Sequence, residues 1–369
     1  MEIKEVKTKR DLWQFINLPA KINKNNKNWL PPLYIDEWNY YNPQKNAAFS
    51  YCDTILLLAY LDVKLVGRIM GIINNRYNKL HNEKTARFTW LDAYNDYEIV
   101  ESLLGYIEKW AKEKGMDQLI GPFGFSDKDP EGFLIDGFEH KPVLVTPSNQ
   151  SYLPLLVEKA GYKKKVDCID YSIELGNNKF DVYYRLLSRI NKNDFKLIEF
   201  KKRRELKKYI IPVLDLLNEC YIDIYGFDKL EEKEMLIFAK RYLPLLNPGF
   251  VKVVLKGDEL VGFVIAMPDL AEGIMKAKGR LFPFGFYYIF KAFYKPKQLV
   301  LMLGGVKKEQ RGRGIDVILG LKIMEACRQK NINRLESHLI LETNIKMKAE
   351  VERIGGKPIK RFRIFCKEL

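Results

Sequence analysis

The feature that most constrains this 369-residue chain is an order of elements that occurs twice. In the first half, apolar runs at 53–60 and 65–73 flank Asp62-Val63-Lys64 and read as a β-hairpin. A strand follows at 87–93, then a helical period over 97–114 that stops at Gly115. A strand at 119–125, a helix at 152–160 closed by Gly161 and a strand at 169–175 complete the half. The second half has a strand at 195–200, helices at 206–221 and 232–242, and a hairpin of 250–255 with 260–267 around Gly257-Asp258. A strand at 299–306, a helix at 316–329, a strand at 335–341, a helix at 345–354 closed by Gly355-Gly356 and a strand at 361–366 follow. Both halves run hairpin, strand, helix, strand, helix, strand, the signature of an internal duplication. The pattern predicts an α/β (α+β) protein with mixed, mostly antiparallel sheets. It divides into units 1–176 and 177–369, joined at the polar Gly176-Asn177-Asn178-Lys179.

Composition narrows the function classes. Apolar residues at 47% and charged residues at 30% describe a folded chain, and the length suits two domains. A net charge of +15 points to an acidic partner: nucleic acid, an anionic membrane surface or a polyphosphate cofactor. Lysine-rich codon usage gives the same excess with no partner. The basic run Lys201-Lys202-Arg203-Arg204 reads as a solvated face, and no nucleic-acid-binding module is recognisable. Five widely spaced cysteines without a CxxC pair read as reduced thiols of a cytoplasmic protein, and with three scattered histidines no metal centre is expected. Met1-Glu2-Ile3-Lys4-Glu5 carries acid and lacks an apolar core, so no signal peptide is expected, and no apolar run reaches transmembrane length.

The chemistry-bearing motif lies where the strand at 299–306 runs into Gly304-Gly305-Val306-Lys307-Lys308-Glu309-Gln310-Arg311-Gly312-Arg313-Gly314-Ile315 and a helix starts at once. A helix N-terminus presents free N–H groups and a partial positive charge, which suits phosphate. Gly312 and Gly314 let the backbone approach without Cβ obstruction, and Arg311 and Arg313 add forked donors. The turn is neither a Walker A loop nor a GxGxxG dinucleotide pattern.

In these residues the chain resembles the GNAT acyltransferase superfamily, whose pyrophosphate signature is Arg/Gln-x-x-Gly-x-Gly/Ala. Arg311-Gly312-Arg313-Gly314-Ile315-Asp316 matches its first four places, with Asp316 where Gly or Ala is usual and where it could cap the helix. Val306 ends the strand as in the family, and Asn344 in Glu342-Thr343-Asn344 stands as in its second signature. The chain also resembles a family of bacterial proteins built from two GNAT-like halves. That likeness rests on Gly121-Pro122-Phe123, Gly132-Phe133-Leu134-Ile135-Asp136-Gly137-Phe138, Gly279-Arg280-Leu281-Phe282-Pro283, the phosphate turn, Glu336-Ser337 and Glu342-Thr343-Asn344. The resemblance implies tandem GNAT folds binding acetyl-CoA, or another acyl-CoA, through Val306, Gln310, Arg311, Gly312, Arg313, Gly314, Ile315, Asp316 and Asn344. The first half looks degenerate: its corresponding turn, Tyr94-Asn95-Asp96, has no glycine and no base.

Acyl transfer to an amine needs a base for the ammonium and a proton donor for the leaving thiolate. Many GNAT enzymes supply the donor with a Tyr four residues before the helix-closing Gly, a place held here by Val351. Glu336 and His338 fall on one face of the strand at 335–341 and are the candidate bases, the alternative being a solvated or salt-bridged face. An insertion at 269–297 is rich in aromatic residues and flanked by lysines; it reads as a lid, an apolar acceptor site, a peripheral membrane contact or packing against the first half. The functional expectation is an acyl-CoA-dependent N-acyltransferase acting on a small-molecule amine. The alternative is a non-catalytic CoA-binding or regulatory protein that keeps the fold.

Overall fold

The computed structural model describes residues 1–144, 146–176, 180–188 and 194–369. In chain order these are β1 (Glu2–Glu5), α1 (Lys9–Ile22), α2 (Tyr34–Tyr40), β2 (Cys52–Leu61), β3 (Lys64–Asn74), α3 (Asn75–His81), β4 (Thr85–Ala93), α4 (Tyr97–Glu113), β5 (Gln118–Gly121), β6 (Phe133–Asp136), α5 (Tyr152–Lys159) and β7 (Lys163–Glu174). There follow α6 (Phe180–Leu187), β8 (Lys196–Glu199), α7 (Arg203–Leu206), α8 (Ile210–Tyr221), α9 (Glu232–Tyr242), β9 (Val251–Lys256), β10 (Glu259–Pro268), α10 (Ala271–Ala277) and α11 (Gly285–Tyr294). The chain ends with β11 (Leu299–Val306), α12 (Ile315–Gln329), β12 (Arg334–Ser337), β13 (Ile340–Leu341), α13 (Ile345–Arg353) and β14 (Lys357–Glu368). The proposed joint falls, from Asn177 onward, outside the described residues.

Among the described residues all fourteen strands share one mixed, mostly antiparallel sheet. Its main order is β1-β2-β3-β4-β5-β14-β7-β12-β11-β10-β9-β8, with β6 added to β14 and β13 to β7. The sequence order puts a closing strand at the end of each half, and the structure exchanges them. β14, the last strand of the chain, lies beside β5 of the first half, with Phe365 opposite Gly121. β7, the last strand of the first half, lies beside β12 of the second, with Leu335 opposite Ile173. β7 and β14 pair with each other along most of their length at the centre of the sheet.

Ion pairs fix that exchange. Arg363 Nε donates to Asp167 Oδ1 at 2.8 Å, and Lys164 reaches Glu342 at 2.7 Å. A central strand buried on both faces is normally apolar, so carboxylates survive there only with partners. This is why β7 begins six residues before the strand expected at 169: Lys163-Lys164-Lys165 and Asp167 obscure it, and Arg363 from β14 with Lys164 of β7 itself neutralises Asp167.

In the second half, helices cover both faces. Val251, Val253 and Phe263 pack with Val213, Leu216 and Leu217 of α8 on one side. Val254 and Val261 pack with Ile315, Ile318 and Leu319 of α12 on the other. The 335–341 strand is corrected to two pieces, β12 and β13, with His338 and Leu339 between them.

Candidate functional site

β11 and β12 run parallel for three pairs: Leu299 with Leu335, Val300 with Glu336 and Leu301 with Ser337. A last bond, His338 N–H to the Leu301 carbonyl at 2.9 Å, closes the ladder. The strands then part. β13 turns away to pair with β7, Ile340 opposite Ile169, while β11 follows β10 to Val306. At the point of divergence the β10–β11 register slips, so that Leu301 faces Ala266 and Leu303 faces Ile265, leaving Met302 as the extra residue of a bulge. The result is a wedge whose wall is the outer edge of β11. Leu301 to Val306 are all at least partly exposed, Gly304 the most open of them.

The Tyr221 hydroxyl, at the end of α8, stands on that edge. It accepts from Gly304 N–H at 3.3 Å and donates to the Gly304 carbonyl at 3.2 Å. Both groups of Gly304 therefore face the wedge rather than β10. Burial pushes the phenol up to about 12, so it stays protonated at neutral pH. No pattern in the sequence marks Tyr221; only the packing of α8 brings it to β11.

The wedge leads to the turn before α12. Gly314 is the N-cap residue of α12, in the left-handed conformation (φ 82°), and no side chain caps the helix. The first helical bond runs from Ile318 N–H to the Gly314 carbonyl, so the amides of Ile315, Asp316 and Val317 form the free first turn. The suggestion that Asp316 caps the helix is corrected: it is the second residue of α12, two places beyond the Gly314 N-cap, and is exposed in the first turn. The arginines are engaged locally. Arg311 Nε donates to the Val306 carbonyl at 3.0 Å, and Arg313 bonds Gln310 at 2.9 Å and Asp194 at 2.7 Å. Gly312 is exposed and its Cβ position is open. Val306, Gln310, Arg311, Gly312, Arg313, Gly314, Ile315 and Asp316 thus lie together along one wedge-to-helix path. Asn344 stands on another element, where its side chain caps α13, accepting from Met347 N–H at 3.2 Å.

The expectation that Glu336 and His338 share one open strand face is also corrected. Glu336 is buried, with Lys360 Nζ donating to its Oε1 at 2.5 Å. The same Lys360 reaches Asp170 Oδ2 at 3.1 Å, and Arg334 lies 3.6 Å from Glu336. Burial and the Glu336 charge push the Asp170 carboxyl well up. One lysine between two carboxylates is a structural tie between β7, β12 and β14. Removing one member of such a tie strands buried charge, at about 3–5 kcal/mol. His338 lies in the break, half-buried at the mouth of the wedge, and burial holds its imidazole down at about 4. It is neutral at physiological pH, and burial disfavours its taking a proton there. Val351, at the place of the family tyrosine, is buried in the core between α12 and α13.

The first half repeats the wedge and fills it. β4 and β5 pair for three residues, Thr85 with Gln118 through Arg87 with Ile120, and Phe123 N–H donates to the Phe88 carbonyl at 2.8 Å. Into the gap folds the segment 122–131. Arg87 bonds the carbonyls of Gly124 and Phe125 at 3.1 and 2.8 Å, and the Tyr40 ring packs on Trp90 and Phe125. At the matching helix, Asp96 is the N-cap and accepts from Glu98 N–H at 3.0 Å.

Comparison with known proteins agrees with this architecture. A tandem GNAT protein from the clavulanic acid biosynthesis pathway superposes with a TM-score of 0.59 at 13% identity, over 100% of this chain and 98% of that one. A GCN5-related N-acetyltransferase from Sphaerobacter thermophilus gives a TM-score of 0.54 at 11% identity, over 100% and 95%. The fold is that of the tandem GNAT proteins. Among curated proteins, the chain is 27% identical to Protein YghO of Escherichia coli K12 over 98% of its length and 94% of that protein's. It is also 27% identical to a bacterial ceramide synthase of Caulobacter vibrioides over 99% and 96%. No protein-family model matches.

Proposed function

We propose that this chain is an N-acyltransferase that takes an acyl group from acetyl-CoA or a longer acyl-CoA and passes it to an amine in the wedge of the second half. The observation that carries this reading is a β11 edge that no other described strand pairs beyond Leu301, its Gly304 groups held only by the Tyr221 hydroxyl and its Val306 carbonyl by Arg311, leading to an uncapped helix N-terminus. A free edge pairs with extended amide chains, and the pantetheine arm of CoA carries two amides. A glycine-capped helix start suits the pyrophosphate at the other end of the same molecule. The residues that would hold CoA are Met302 to Val306 along the edge and Gln310 to Asp316 at the helix.

The chemistry needs one proton removed and one supplied. His338, at the mouth, is the group placed to take the proton of the incoming ammonium, a role that requires bound ligand to raise its basicity from the value of about 4 that burial imposes. Tyr221, protonated and on the β11 edge, donates toward the leaving sulfur in place of the missing family tyrosine. Similarity to a bacterial ceramide synthase, together with the aromatic insertion, favours a long-chain amino alcohol as acceptor: a ceramide is an N-acylated amine of that kind. Scattered thiols and a path open to CoA favour a cytoplasmic enzyme.

The test pairs calorimetry with turnover. CoA should bind with one equivalent per chain, and thiol release from acyl-CoA should require a long-chain amine. Gly314→Val should weaken CoA binding more than about a hundredfold. A β-branched residue at φ 82° also strains the backbone by about 1–2 kcal/mol, so its melting temperature falls as well. Retained affinity in Gly314→Val would remove the CoA assignment, and CoA binding without turnover on any amine would leave a CoA-binding protein.

A further inference from the structure

The insertion at 269–297 forms a helical hairpin, α10–α11, whose outer surface is aromatic. Gly273 lets α11 approach at backbone contact; a Cβ there would stand 2.7 Å from the Tyr288 carbonyl. The hairpin's base is anchored on the first half. Tyr34 N–H donates to the Gly279 carbonyl at 3.1 Å, and Arg280 lies over the Tyr34 ring. Packing against the first half therefore accounts for the base but not for the outer face. There Phe282 is 79% exposed, Phe284 71%, Phe290 61% and Tyr294 62%. Ile35 and Trp38 of α2, beside the anchor, extend the apolar surface.

Charge around the hairpin is mostly basic, with exposed Asp36 on α2 the acidic exception beside Ile35. The segment holds six basic residues and two acidic ones, Asp269 and Glu272. Asp269 is bonded to Gln298, and Glu272 is shared by Lys276 and Lys297. Lys278, Lys291 and Lys295 are left without an ion pair among the described residues. Ten residues of α11 span about 15 Å, half the thickness of a bilayer core, so the helix can lie on a membrane but not cross it. Among the described residues no helix is long and apolar enough to cross one.

We propose that the α10–α11 hairpin, with Ile35 and Trp38, is a docking face for anionic lipid bilayers. The aromatic rings enter the headgroup boundary while Lys278, Lys291 and Lys295 meet the acidic headgroups. The proposal stands on exposure and charge and does not require the acyl-transfer reading.

Flotation with the full-length protein tests it. Vesicles of phosphatidylcholine containing phosphatidylglycerol should bind the protein, and pure phosphatidylcholine vesicles should bind it at least about tenfold more weakly. Phe284→Ser with Phe290→Ser should reduce binding to anionic vesicles by about tenfold or more. Lys291→Glu with Lys295→Glu should act similarly and mimic the effect of salt. All four positions are exposed, so circular dichroism should match the parent. Leu155→Ser, an exposed apolar control on α5, should leave binding unchanged. Equal binding by parent and aromatic variant, or no binding by the parent, overturns the proposal. So does a smaller mass for the aromatic variant in size-exclusion chromatography, which would assign the face to a second copy.

Discussion

The two halves build the same wedge and use it in opposite ways. In each, two parallel strands pair for three residues, one more hydrogen bond closes the ladder, and a register slip bends the inner strand away. In the first half β4 beyond the split is mostly buried, and the wedge is filled by Phe125, Asp129 and Tyr40. Its mouth is sealed by the second half, where Tyr225 packs on Phe123 and Arg76 bonds Asp228 at 2.8 Å. In the second half the same edge is exposed. The helix beyond it starts on an uncapped glycine rather than on a carboxylate. One duplicated geometry thus serves as the socket that joins the halves and, on our reading, as the site that takes a ligand. What separates them is the side chains that enter the wedge, not the backbone around it.

The sharpest way to break this comparison is to empty the filled wedge. Phe125→Ala removes a buried ring packed on Tyr40 and Phe49, and should cost about 3–5 kcal/mol in denaturant unfolding. CoA stoichiometry in calorimetry should remain one. A second equivalent bound would show that the filler alone, and not the Asp96 cap, closes the first site.

A smaller effect is expected at the open site. Arg311→Ala removes one charged donor. If that side chain swings from the Val306 carbonyl to a phosphate, affinity should fall about ten- to a hundredfold, corresponding to about 1.5–3 kcal/mol. The loss should shrink as salt rises, while the unliganded melting temperature stays near the parent value. Unchanged affinity would mean that Arg311 only braces the end of β11.

The smallest effect lies in the pH dependence of the filled half. Burial, with Asp127 next, pushes the Glu131 carboxyl up to about 8 from its ordinary 4.5. A raised pKa means that the native state holds the proton more tightly than the unfolded one. Its contribution is therefore fully present below about 4.5 and is lost as pH rises through about 8. Glu131→Gln should flatten the decline in melting temperature across that window. An unaltered slope would place the titration elsewhere, with buried Glu37, held up at about 7, the next group to replace.

Much of the fold was legible from local pattern. The hairpins, the helices from Tyr97 and Glu232 and the strand from Leu299 to Val306 announce themselves by period and by their closing turns. Hairpins and capped helices are local, so their signals lie within a few residues. The phosphate turn was legible for the same reason: a strand, two glycines and a helix start are contiguous. The catalytic candidates were less so. Alternation alone placed Glu336 beside His338, but alternation cannot see that Lys360, from another strand, claims Glu336, nor that the strand stops at Ser337.

The sequence by itself determined the element order, the duplication, the Gly/Arg turn and the aromatic insertion, because each is written in neighbouring residues. Tertiary structure decided the exchange of β7 and β14, the capture of Glu336 by Lys360, the arrival of Tyr221 at Gly304 and which wedge stays open. These depend on pairings between residues 24 to 196 positions apart. Their stability comes from desolvated charge and close packing, and neither leaves a periodic mark along the chain.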